Sequence, residues 1–221
     1  MKRTIIGAHA GCESTVPGSL ENIRTALKHK VDLIEVDLRL HEGNVYLSHD
    51  ALDTEHLDRY LKFQDALEVL ASEKAGLNCD LKDETVFYEA LKLLREYGME
   101  ARAVFTGSYK VKTEADAKYK YFLNIDCTNI KLSSGVIGEE EADLLIDYWK
   151  NCKDHAMKAF NLNYRTVPPA VMNKLCQAGV QISYWTVDEP EEIEHMLENG
   201  AYAMTTNRLA FAMPARERIQ N

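Results

Sequence analysis

The sequence predicts an α/β protein with one TIM-type (β/α)8 barrel domain spanning residues 1–221. Short apolar runs alternate with amphipathic segments along the chain, and strict alternation of strands and helices produces a parallel sheet. Eight such units favour closure of that sheet into a barrel. The chain also lacks the motifs G-x-G-x-x-G and G-x-x-x-x-G-K, whose glycine-rich loops are typical of open nucleotide-binding sheets.

The repeating units are assigned from the periodicity of apolar residues, which is two in a strand and about 3.6 in a helix. An extra short strand at 45–47 follows a turn at 42–44, which predicts a hairpin after the second barrel strand. The predicted barrel strands are 4–9, 32–40, 76–82, 101–106, 121–125, 157–162, 180–187 and 201–205. The predicted helices are 19–28, 63–71, 84–97, 114–119, 139–152, 168–178 and 190–199.

Composition restricts the class of protein. The 221 residues are 46% hydrophobic, enough for one large core. A net charge of −9 argues against nucleic acid or an anionic membrane as a partner. The five cysteines are widely spaced without a C-x-x-C pair, which argues against disulfides and structural zinc. With no signal-like or membrane-spanning apolar run, we expect a cytoplasmic protein with reduced thiols.

The stretch 32–50 concentrates polar residues that are able to perform chemistry. Period-two alternation places Glu35 and Asp37 on one face of a strand, and the following hairpin strand ends at His49. Carboxylate oxygens bind hard cations, and imidazole transfers protons near neutral pH. The alternative is a half-exposed strand with an ordinary polar face.

Other strand ends carry similar residues. His9 ends the first strand, Asp80 and Lys82 share a face of the third, and Trp185 lies near the end of the seventh. Singly, His9 is explained as a core histidine, Lys82 as a surface lysine and Trp185 as a core aromatic. Together they gather several charges at one end of a barrel. Burying an ion without a partner costs on the order of several kcal/mol. A bound divalent cation would offset most of that cost.

These residues resemble the ordered motifs of glycerophosphodiester phosphodiesterases over nearly the whole chain. The matching segments are His9-Ala10-Gly11, Pro17, Ile34-Glu35-Val36-Asp37, His49-Asp50, Asn78-Cys79-Asp80-Leu81-Lys82, Asn161-Leu162-Asn163-Tyr164, Tyr184-Trp185-Thr186-Val187-Asp188, Gly200-Ala201 and Thr205-Thr206-Asn207.

The resemblance implies a TIM barrel that hydrolyses phosphodiesters of glycerol to an alcohol and glycerol 3-phosphate. It implies that Glu35, Asp37 and Asp80 bind one divalent cation. Oxygen ligands favour Mg²⁺ or Ca²⁺, with Mn²⁺ as a further candidate. It also implies that His9 and His49 act as general base and general acid. Lys82 would hold the phosphate, and Trp185 would form a wall of the pocket beside the glycerol.

The chain departs from the family pattern at several positions. Ala10 stands where the family has the arginine of H-R-G, and an alanine cannot replace a guanidinium that clamps phosphate. Gly18-Ser19 replaces the E-N of P-E-N, Asp80 stands where glutamate is usual, and Asn207 stands where aspartate is common. The segment between His49 and the next helix is too short for an insertion domain.

These departures leave two alternatives to a hydrolase. One is a degenerate barrel that binds a phosphorylated ligand without turnover. The other is a phosphoryl transferase that releases a cyclic phosphate. The sequence favours a small-molecule phosphodiester as the ligand in each case and leaves the alcohol group and the oligomeric state open.

Overall fold

The computed structural model describes residues 3–109, 118–132 and 134–221. Nine strands form one sheet, in the order β1-β9-β8-β7-β6-β5-β4-β2-β3, and pairing of β1 with β2 closes it. The strands are β1 (Ile5–Ala8), β2 (Leu33–His41), β3 (Asn44–Leu47), β4 (Gly76–Leu81), β5 (Ala103–Gly107), β6 (Tyr121–Asn124), β7 (Met157–Asn163), β8 (Ile182–Trp185) and β9 (Ala203–Thr206).

All strand pairs around the closed sheet are parallel, except that β3 pairs antiparallel with β2. Eight parallel strands therefore form a closed barrel, and β3 extends it as the second strand of a hairpin. The predicted single-domain TIM barrel is confirmed, as is the extra short strand after the second barrel strand.

Helices surround the barrel: the first six described α-helices were predicted from the sequence, and the seventh was not. Their bounds are α1 (Leu20–Lys28), α2 (Phe63–Leu70), α3 (Val86–Glu96), α4 (Glu139–Asn151), α5 (Pro169–Gln177), α6 (Pro190–Glu198) and α7 (Leu209–Gln220). The helix predicted at 114–119 falls mainly on residues 114–117, which lie outside the described residues. No helix in the described part of the chain has the length and apolar character needed to span a bilayer.

The hairpin between β2 and β3 turns through Glu42 and Gly43, which both have positive φ angles of 46° and 75°. A two-residue turn of this kind matches the natural twist of paired strands. The turn fixes the register that pairs Leu38 with Leu47. It therefore sets where the chain after β3 leaves the barrel, and with it the position of His49.

Strand alternation separates two environments. The main core lies between the outward faces of the strands and the helices, with residues such as Ile34, Val36 and Leu38 fully or almost fully buried. A smaller apolar cluster consists of Val104, Phe122, Ala159 and Ala203, with Ile5, Leu33 and Tyr202 packed against it.

Strand residues of the smaller cluster lie two positions before polar residues of the same strands, as Leu33 precedes Glu35 and Phe122 precedes Asn124. Residues two apart on a strand share a face, so this cluster fills the barrel interior beneath a polar layer. That layer lies at the carboxyl ends of the strands, where the sites of TIM barrels are built.

Candidate active site

The carboxyl ends of the barrel strands enclose a polar cavity of about 200 Å³. All seven residues singled out from the sequence line it, which places them in one site whatever their roles. The lining residues are His9, Glu35, Asp37, His49, Asn78, Asp80, Lys82, Asn124, Asn161, Trp185, Thr186 and Thr205.

Three carboxylates meet in this cavity because two neighbouring strands present them in register. Glu35 and Asp37 lie on β2, and Asp37 is paired directly with Asp80 of β4. One oxygen atom from each of Glu35, Asp37 and Asp80 lies within 4.8 Å of the other two, and no other group of three potential ligands is this close among the described residues. The arrangement is therefore a candidate site for one cation.

Glu35 is the carboxylate with the least compensation. The residue is partly buried, but its Oε2 is fully buried and has no hydrogen-bond partner among the described residues. Burial, together with the negative charges of Asp80 and Asp37, raises the pKa of Glu35 well above its ordinary value of 4.5, and Lys82 opposes this only in part. An orphaned carboxylate oxygen beside two further carboxylates fits the all-oxygen ligand set of Mg²⁺ or Ca²⁺.

Lys82, which the resemblance implies holds a phosphate, contacts two of the three carboxylates. Its Nζ lies 2.7 Å from Oδ1 of Asp37 and 2.6 Å from Oδ2 of Asp80, and its side chain is 15% exposed. Burial disfavours the ammonium charge, but Asp80 and Asp37 outweigh it and raise the pKa of Lys82. Lys82 therefore bridges Asp37 and Asp80 and offsets the charge of Glu35 only in part.

His9 is held by a relay of side chains that ends in a carboxylate. Asn207 donates from Nδ2 to Oδ2 of Asp188 at 2.8 Å, and its backbone N–H donates to Oδ1 of Asp188 at 2.7 Å. This fixes the amide so that its Oδ1 faces Nδ1 of His9 at 3.0 Å. An amide oxygen only accepts, so Nδ1 of His9 carries the proton and Nε2 is left as an acceptor.

His49 follows the hairpin strand β3 and has a charged partner. Its Nδ1 lies 3.0 Å from Oδ1 of Asp50. The hydrogen bond and charge of His49 lower the pKa of Asp50, so this carboxylate stays ionised. The side chains are 70% and 93% exposed, respectively, so the pair lies at the mouth of the barrel and not in its interior.

Asn207 and Asp188 support His9, a role that was not predicted from the sequence. Both lie in segments that match the family motifs and both follow strand ends, but neither signal indicates which side chain they contact. The carboxylate oxygens of Asp188 accept from Thr206 and Asn207. Asn124 and Asn161 also face the cavity, joined by an amide hydrogen bond of 2.8 Å.

A second, more open cleft of about 980 Å³ shares His9, Asp37 and His49 with the polar cavity. Ala10, Gly18 and Ser19 line it beside Pro17, so three of the positions that depart from the family motifs lie at this cleft. Arg59 is the only arginine or lysine among the described residues of its lining. Its side chain is 64% exposed and lies 3.6 Å from Asp53. The segment from His49 to α2 contains a single short 3-10 helix, Leu57–Arg59, and no inserted domain.

Fold and site together define a class of protein. It is a TIM barrel that carries a carboxylate cluster and two histidines, each with a hydrogen-bonded partner, at its mouth. Comparisons with known proteins show which proteins the chain is similar to. A curated relative, the glycerophosphodiester phosphodiesterase of Caldanaerobacter subterraneus subsp. tengcongensis, is 22% identical over 246 residues, covering 93% of this chain and 94% of the relative. No family model matches the chain.

Solved structures show the same likeness. A putative glycerophosphoryl diester phosphodiesterase from Agrobacterium tumefaciens superposes with a TM-score of 0.75 at 13% identity, covering 97% of this chain and 98% of that one. A phosphodiesterase from Oleispira antarctica, solved with the product sn-glycerol-3-phosphate, gives 0.72 at 14% identity, covering 96% of both chains. The resemblance to glycerophosphodiester phosphodiesterases predicted from the motifs is therefore confirmed. These relatives are phosphoric diester hydrolases.

Proposed function

We propose that this protein is a metal-dependent phosphodiesterase that hydrolyses a glycerophosphodiester, or a related small phosphodiester, to an alcohol and a phosphomonoester such as glycerol 3-phosphate. The observation that carries the proposal is the convergence of three carboxylates and two histidines on one cavity at the carboxyl ends of the barrel strands. The curated relative and the product complex of the Oleispira antarctica protein support the choice of substrate class.

Glu35, Asp37 and Asp80 would hold one divalent cation, with Mg²⁺ or Ca²⁺ favoured over Mn²⁺ because the donors are all carboxylate oxygens. The cation would neutralise charge on the phosphoryl oxygens. Lys82 is the one lysine or arginine among the described residues that line the cavity. In the proposed reaction its ammonium group, now shared between Asp37 and Asp80, turns toward the phosphate when these carboxylates gain another partner.

His9 is suited to the role of general base, because its Nδ1 is committed to Asn207 and its Nε2 remains free to accept a proton. His49 is suited to the role of general acid, because the ionised Asp50 compensates the positive charge of an imidazolium. General acid and base catalysis each contribute typically ~10²- to 10⁴-fold. Trp185, 39% exposed at the edge of the cavity, would form its wall on the glycerol side.

The proposal also covers where the protein acts. We propose that it acts in the cytoplasm on small water-soluble diesters. Its acidic net charge of −9 disfavours anionic membrane surfaces and nucleic acid as substrates.

The test uses the full chain with glycerophosphocholine as probe, in the presence of Mg²⁺, Ca²⁺ or Mn²⁺, with the products followed by phosphorus NMR. We expect a phosphomonoester as the product, and we expect that none forms when the divalent cation is chelated. His9→Ala and His49→Ala should each lose turnover. His155→Ala is the matched control, because His155 is exposed and precedes β7 at the opposite end of the barrel.

Each alternative has its own outcome in the same experiment. A cyclic diester as the final product identifies a phosphoryl transferase. Calorimetric binding of glycerol 3-phosphate without turnover under any of the metals identifies a non-catalytic barrel. Full turnover in both histidine variants contradicts the proposed mechanism.

A further inference from the structure

The segment that carries His49 has little backbone support of its own. Pairing of β3 with β2 ends at Leu47, which is opposite Leu38. The N–H of Ser48 still donates to the carbonyl of Asp37 at 2.9 Å, but His49 and Asp50 follow as an exposed turn. A group that transfers a proton must be held within hydrogen-bond reach of it. An exposed histidine in such a turn therefore needs support from another part of the protein.

Arg39 provides that support. Its Nη2 and Nε donate to the backbone carbonyl oxygen of His49, at 2.8 Å and 3.3 Å. No other side chain among the described residues bonds the His49 backbone. Period-two alternation on β2 places Arg39 on the same face as Glu35 and Asp37, two residues nearer the mouth of the barrel. One strand therefore carries two of the candidate metal ligands and the side chain that supports a candidate acid.

We propose that Arg39 is a positioning residue for His49: its guanidinium fixes the backbone of the His49 turn, so that the imidazole keeps its Nδ1 on Asp50 and its Nε2 is available at the cavity. This inference rests on the proposed role of His49 as general acid. Arg39 does not line the cavity or the cleft, so its effect on the reaction passes through the position of His49.

The two-pronged contact explains why arginine is the residue required. A guanidinium presents adjacent N–H groups in a rigid plane, so both reach one carbonyl oxygen with little loss of side-chain freedom. A lysine at this position keeps the charge but offers a single, flexible donor. A glutamine loses both the charge and the reach. Arg39→Lys and Arg39→Gln therefore separate the geometric contribution from the electrostatic one.

The kinetic test measures kcat, KM and the half-saturating concentration of divalent cation for these two variants. We expect Arg39→Gln to lower kcat by about 10- to 100-fold, the cost typical of a misplaced catalytic group. The kcat of Arg39→Lys should lie between those of Arg39→Gln and the unmodified protein. In both variants KM and the half-saturating concentration of divalent cation should change by less than about 2-fold. Arg24→Gln removes the same charge from an exposed position on α1 and should leave kcat unchanged.

The second readout does not depend on activity. Exchange of the Ser48 amide, whose N–H donates to the carbonyl of Asp37, should become faster in Arg39→Gln, while exchange in the rest of the barrel stays as it is in the unmodified protein. If the unmodified protein cleaves no diester, the proposed function fails and exchange alone decides the Arg39 inference. Unchanged exchange of the Ser48 amide overturns the inference, and so does an unchanged kcat in an active protein.

Discussion

Glu35 links the stability of this protein to pH and to divalent cations. Its pKa is raised well above 4.5, by burial first and by the charges of Asp80 and Asp37 second. In the unfolded chain the carboxyl ionises near its ordinary value, whereas in the folded metal-free protein it keeps its proton to a higher pH. The folded state therefore binds more protons over that interval, and its stability falls as pH rises.

The size of the effect follows from the linkage relation. One proton retained by the folded state and lost by the unfolded state costs about 1.4 kcal/mol of stability per pH unit. The loss begins above pH 4.5 and ends where Glu35 itself ionises in the folded protein. For a chain of this length, about 1.4 kcal/mol corresponds to a melting-temperature change of about 3 to 6 °C.

The perturbation that isolates this effect is Glu35→Gln, which keeps the shape of the side chain and removes its ionisation. Thermal unfolding in the presence of a chelator, measured between pH 5 and pH 7, should show the variant gaining stability relative to the unmodified protein as pH rises. Glu140→Gln on the exposed face of α4 is the matched control. Melting curves of Glu35→Gln and the unmodified protein that shift in parallel with pH would refute this reasoning.

Divalent cations should make the unmodified protein more stable than Glu35→Gln. A cation at about 100 times its Kd stabilises the folded state by about 2.7 kcal/mol, and it needs Glu35 as an ionised ligand. We therefore expect Mg²⁺ or Ca²⁺ to raise the melting temperature of the unmodified protein at pH 7 and to have a much smaller effect on Glu35→Gln. Equal stabilisation of both proteins would place the cation elsewhere.

Two further substitutions test other parts of the structure. Gly107→Ala would place a Cβ against Oδ1 of Asp80 at a position where φ is +71°. It should weaken divalent-cation binding by about 10- to 100-fold, as expected for residues that orient a ligand. Calorimetric titration measures the affinity, with Gly98→Ala as the control because Gly98 has a similar φ but open space around it. Arg216→Met removes the partner of Asp32, an arginine whose side chain is 1% exposed. It should lower the free energy of unfolding by about 2 to 3 kcal/mol, which is less than for a fully buried ion pair because Asp32 is partly exposed. The kcat measured below the melting transition should stay unchanged.

The sequence predicted the barrel because each unit carries its own periodicity. The strand that holds Glu35 and Asp37 alternates cleanly, since one of its faces meets the helices and the other meets the cavity. The last helix, α7, was missed. Pro214 lies within it, and a proline inside a weakly amphipathic segment is normally evidence against a helix. Its packing against the rest of the barrel, through Arg216 among others, outweighs that local signal.

The seven residues singled out from motifs near strand ends line one cavity, but the contacts that support them were not predicted. His9 contacts Asn207 across 198 positions of sequence, and nothing in the local pattern of either residue indicates the other. The contact from Arg39 to His49 depends on the length of the hairpin between them. Such contacts follow only once strand order and register are known, because closure of the barrel is what brings its first and last strands together.

The two histidines have chemically different supports, but they share their surroundings. His9 is held by a neutral amide beside β9, whereas His49 is held by an ionised carboxylate. Both line the cavity of about 200 Å³ and the cleft of about 980 Å³, so in the proposed reaction proton transfer takes place where the two spaces meet. Glu35 and Asp80 line only the cavity, whereas Ala10 and Gly18 line only the cleft. A phosphate held at the carboxylates would therefore leave the cleft to the rest of the substrate, so the positions at which this chain departs from the family motifs would meet the alcohol and not the phosphate.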